Sequence, residues 1–128
     1  MVVTLDDTKR LAIASKLADM KELQNLLIAN EEMFISASTD NDIKQRFRDM
    51  LEDDRKNLGI LDTIMVQYGV KAGPREVISQ MVQKVQEMMQ GNKLNLFEKV
   101  FQHELLKHQQ VMSGLIIHKA AQVVGADI

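Results

Sequence analysis

Glu31, Asp54, Glu104 and His108 are the residues of this 128-residue chain whose types and spacing could do chemistry. Carboxylates are hard oxygen donors that bind and bridge divalent cations, and imidazole suits iron, manganese or zinc. Glu104 and His108 stand four residues apart, so a helix sets them one turn apart on the same side. Iron held by such a set with an open coordination position could activate oxygen or peroxide. Three carboxylates would also balance one or two divalent ions, which is how acidic groups are tolerated inside a fold. Each residue has a plainer reading as well. Glu31 reads as an exposed half of the Glu31-Glu32 pair, Asp54 as part of a solvated charge run, and His108 as a histidine satisfied by Glu104.

Four helices must position these groups. The first is expected over about 5–38, after a Thr4/Asp7 capping pair, with Ile13, Leu17, Met20, Gln24, Leu27, Glu31, Phe34 and Ser38 along one stripe. A polar break at Ser38 to Asn41 precedes a second helix over 41–68, whose stripe holds Ile43, Phe47, Met50, Asp54, Asn57, Leu61, Ile64 and Tyr68. Gly69 is placed as its terminator, and Gly73-Pro74 supplies a turn with proline suited to the first position of the next helix. That third helix, over 75–90, carries Ile78, Met81, Val85, Met88 and Met89 and no carboxylate on the same line. Asn95 with Glu98 makes a capping box for the fourth, over 95–124. Its stripe is counted as Phe97, Phe101, Glu104, His108, Val111, Leu115, His118 and Gln122. Glu31 and Asp54 then lie at about the same depth from the turn near residue 40, so the polar groups can form one layer.

Composition narrows the function classes. Forty-five per cent hydrophobic residues over this length give one domain, 1–128, with a sizeable core, either whole or part of a longer product. The net charge of -2, with signs mixed along the chain, carries no footprint for nucleic acid or an anionic membrane. Absence of cysteine excludes disulfides and thiolate metal sites. No signal peptide or run of roughly 20 apolar residues is visible, so a cytoplasmic location is expected. Nucleotide-binding and serine-hydrolase motifs are absent, and the nine methionines read as core filling.

An all-α, antiparallel up-down-up-down four-helix bundle with inward carboxylates, and a Glu and His one turn apart, resembles the ferritin-like superfamily. The resemblance implies a metal set of Glu31, Asp54 (with Asn57 beside it), Glu104 and His108. It departs from the family's pattern in lacking a histidine after Asp54, in spacing Glu104 and His108 by four, and in the carboxylate-free third helix. The run HELLKH gives a weaker likeness to hemerythrin-like proteins. The expected function is iron or other divalent-metal binding, as a di-iron pair or a single ion, in oxygen, peroxide or stress chemistry. The alternative is a metal-free helical module that acts by self-association or by docking a partner. Neither reading includes nucleic acid or membrane among its partners; a homo-oligomer fits both.

Overall fold

The computed structural model describes residues 5–69 and 73–123, and there the chain is all helical, with no strand. Helix α1 spans Leu5–Ala37, α2 Asn41–Tyr68, α3 Glu76–Gln90 and α4 Leu96–Val123. The expected Thr4 cap lies outside the described residues. The other boundaries follow from local chemistry. Asp40 caps α2 by accepting from the backbone N–H groups of Asp42 and Ile43 at 2.9 and 3.0 Å. Gly69 closes α2 in the left-handed region, at φ 63°, where a side chain would be strained. The Asn95/Glu98 capping box forms as expected, each side chain taking the other's backbone N–H at 2.9 and 3.1 Å. Pro74 is not the first residue of α3; Arg75 occupies the N-cap, one residue later than expected.

Helix α1 is the hub, and it packs against α2, α3 and α4. That position explains its sequence. A helix with one wet face needs one apolar stripe, whereas a helix covered on three sides is apolar over most of its circumference. Leu17, Ala18, Asp19 and Met20 are buried in succession, as are Leu26 and Leu27. All eight positions of the expected α1 stripe are buried, Glu31 among them.

Three apolar clusters stack along α1. Ile13, Leu17 and Met20 meet Leu61 and Ile117, and further along Leu23, Leu26 and Leu27 meet Val82 and Leu106. At the far end Phe34, Phe47 and Met89 close the core, with the two phenylalanine rings 5.2 Å apart. Asp19 belongs to the scaffold as well. Its carboxylate accepts the Arg75 backbone N–H at 2.8 Å and the Arg75 Nε at 2.7 Å. Arg75 has no side-chain cap of its own, so a buried residue of α1 performs the capping that starts α3.

Candidate functional site

A polar layer crosses this core, contributed by α1, α2 and α4. Glu31 and Asp54 come together in it, at 0% and 4% exposure, as the matched depths in the sequence require. Glu104 and His108 do not join them: both are exposed on α4. In their place α4 turns His103, Lys107 and Gln110 toward α1. The expected α4 stripe is in fact the outward side, with Phe97 79% and Leu115 59% exposed. The inward side runs through His103, Leu106, Gln110, Ser113 and Ile117. Two stripes of helical period coexist on α4, and the one richer in apolar residues faces away from the core. The signal that favoured the other was available in Leu106 and Ile117, with the small Ser113 on the same side between them.

The layer is held by short bonds. His103 Nε2 lies 2.8 Å from Glu31 Oε2, with His103 1% exposed and its ring edge-on to Phe34 at 5.2 Å. Lys107 Nζ donates to Asp54 Oδ2 at 2.8 Å and stands 3.5 Å from Glu31 Oε2. Gln24 donates from Nε2 to the Asp54 backbone carbonyl at 2.8 Å and to Oδ1 at 3.2 Å. Gln110 donates to the Met20 carbonyl at 2.8 Å and to Gln24 Oε1 at 3.0 Å, tying α4 to α1.

Burial decides the protonation states. Desolvation, followed by the adjacent Asp54 carboxylate, pushes Glu31 up to about 9, against the pull of Lys107. Burial raises Asp54 too, but Glu31, Lys107 and Gln24 stabilise its anion more, and the net shift is downward. Burial and then the Lys107 charge lower His103 to about 4, although Asp54 opposes them. At neutral pH the layer therefore holds a protonated Glu31, a neutral His103, an anionic Asp54 and a cationic Lys107. Its net charge is zero, which is what a dry interior tolerates. Glu31 Oε1 and His103 Nδ1 remain buried with no hydrogen-bond partner, at a cost of about 1–3 kcal/mol each.

This arrangement does not form the expected metal set. No group of three or more His, Asp or Glu side chains is placed to hold an ion among the described residues. Lys107 already stands beside Asp54 and Glu31 as the cation of the layer. The layer opens to solvent through a cleft of about 270 Å³ lined by Asp54, Asn57, Lys107, Gln110 and apolar residues of α1 and α2. Asp54 and Lys107 are the charged groups at its wall, while Glu31 and His103 lie behind them.

No helix among the described residues is long and apolar enough to cross a membrane. No family model matches the chain, and no solved structure matches it. The chain is 65% identical over all 128 residues to a protein of Nostoc sp. (strain PCC 7120 / SAG 25.82 / UTEX 2576) called a DNA nickase. It spans 36% of that relative's length. This finding overturns the expected iron and oxygen chemistry, and with it the expectation that nucleic acid is no partner. What the comparisons give this chain is close similarity, over its full length, to about a third of a protein that acts on DNA.

Proposed function

We propose that this chain is a helical part of a DNA-nicking protein and that the cleft at Asp54 and Lys107 faces the phosphodiester. The observation that carries the reading is the 65% identity along the whole chain to the Nostoc DNA nickase. Nicking hydrolyses one phosphodiester of a duplex: water adds to phosphorus and one ester oxygen leaves with a proton. The chemistry needs a base for the water and positive charge for the phosphoryl oxygens. Of the titratable groups in the layer, Asp54 and Lys107 meet both needs and border the cleft. Asp54 stays anionic and takes the water's proton, and Lys107 turns from Asp54 to the phosphoryl oxygen. Gln24 fixes Asp54 from behind, and its own amide is fixed by Gln110.

The same proposal places the four helices in up-down-up-down order, which would keep the ferritin-like likeness as one of architecture. Its support is the order of the paired residues. Lys21–Asp62, Gln24–Asp54 and Phe34–Phe47 run oppositely along α1 and α2, and Gln24–Gln110 and Glu31–His103 do so along α1 and α4.

Supercoiled plasmid incubated with the purified chain and Mg²⁺, resolved on agarose, tests the reading. Open-circular product should accumulate, and Asp54→Asn and Lys107→Met should each lower its rate at least tenfold while circular dichroism stays native. Equal rates in all three proteins would remove the cleft from the chemistry. No open circle from wild type, where the full-length relative nicks, would place cleavage outside this segment.

A further inference from the structure

We infer that the outward face of α4 is a self-complementary surface on which a second copy of this chain docks, antiparallel, about a twofold axis beside residue 106. Phe97, Phe101, Val111 and Leu115 are all more than half exposed, and they lie along one side of α4 with Glu104 and His108 between them. Leu105 and Met112 flank the row and are exposed as well. From Phe97 to Leu115 the row is about 27 Å long at helical rise. Its uncovered side chains correspond to on the order of 600 Å² of apolar surface, a patch of the size that marks an interaction site. A standard interface needs about 800 Å² per partner, so this row with its flanks is of the right scale.

The sequence of the row identifies the occupant. A twofold interface must be isologous: if one residue meets another, the second meets the first across the axis. Phe97 with Leu115, Phe101 with Val111, and Glu104 with His108 are each centred on position 106. Laid antiparallel on itself, the row pairs aromatic rings with aliphatic side chains at its outer levels. At its centre the Glu104 carboxylate of each copy meets the imidazole of His108 in the other, twice. Within one chain neither side chain makes an ion pair or hydrogen bond among the described residues. The polar groups of the row between Phe97 and Leu115 are therefore complementary in the register that also matches the apolar groups. An unrelated partner gives no reason for that symmetry.

Because the face is exposed, substitutions on it leave the core of the single chain intact, and folding can be checked separately by circular dichroism. Sedimentation equilibrium of the 128-residue chain at micromolar concentrations should give twice the chain mass. Leu115→Glu should give the monomer. His108→Glu sets like charges against Glu104 across the axis and should weaken association at least tenfold. The exchange Glu104→His with His108→Glu restores opposite partners in both places and should recover association to within about threefold of wild type. A monomer at every concentration overturns the proposal. So does a dimer indifferent to Leu115→Glu, or an exchange variant no tighter than His108→Glu alone.

Discussion

Glu31→Gln isolates the proton that the fold stores in its core. The amide has the shape of the protonated carboxyl and never ionises. In the wild type, Glu31 goes from 4.5 in the unfolded chain to about 9 when folded, so between those values the folded state holds a proton that the unfolded state has released. Its contribution is fully present below 4.5 and falls as pH rises, by about 1.4 kcal/mol per pH unit. His103 works the other way. Its folded value of about 4 lies below 6.5, so its contribution is present above 6.5 and lost as pH falls toward 4. From 4.5 to 6.5 the two slopes cancel, and from 6.5 to 9 that of Glu31 stands alone. Urea unfolding followed by circular dichroism should thus give a plateau on the acid side of 6.5 and a loss of about 3 kcal/mol between 6.5 and 9. In Glu31→Gln the alkaline loss should vanish. Below 6.5 that variant should instead gain stability with rising pH, because His103 is no longer opposed. A wild type whose stability is flat from 6.5 to 9, or a variant with the same alkaline slope as wild type, would refute the assignment of a neutral buried Glu31.

Two further substitutions test the scaffold. Asp19→Ala should cost about 2–3 kcal/mol in urea unfolding, because it removes a buried carboxylate that caps α3 and leaves the Arg75 N–H without its acceptor. Hydrogen exchange at the start of α3 should accelerate more than in α2. Phe34→Ala empties a fully buried site between Phe47, Met89 and His103 and should cost about 3–5 kcal/mol. A loss under about 1 kcal/mol would show that the far end of the core collapses to fill the space.

Much of the architecture was legible in the residues, for a physical reason that differs between helices. Capping pairs and terminators act locally, so Asn95 with Glu98 and Gly69 announced the ends of α4 and α2. The α1 stripe was legible because a central helix buries nearly every side it has, and a stripe counted from any core residue lands inside. Asp54 shared that clarity, since α2 has a single apolar face that contains it. Lys107 was hidden by its type. A lysine reads as a surface residue until a buried carboxylate beside it is known to need a cation.

The sequence alone determined that this chain forms four helices, where α2 stops and α4 starts, and that Glu31 and Asp54 meet at one depth. Those features depend on propensity, capping and spacing, which each segment carries within itself. Only the tertiary structure decided which side of α4 faces the core. That helix carries two stripes of the same period, and rotating it by half a turn exchanges them without breaking any local rule. The choice falls to α1, whose Glu31, Gln24 and Met20 carbonyl demand His103, Lys107 and Gln110 opposite them. Glu104 and His108, with the phenylalanines beside them, are turned outward as a consequence.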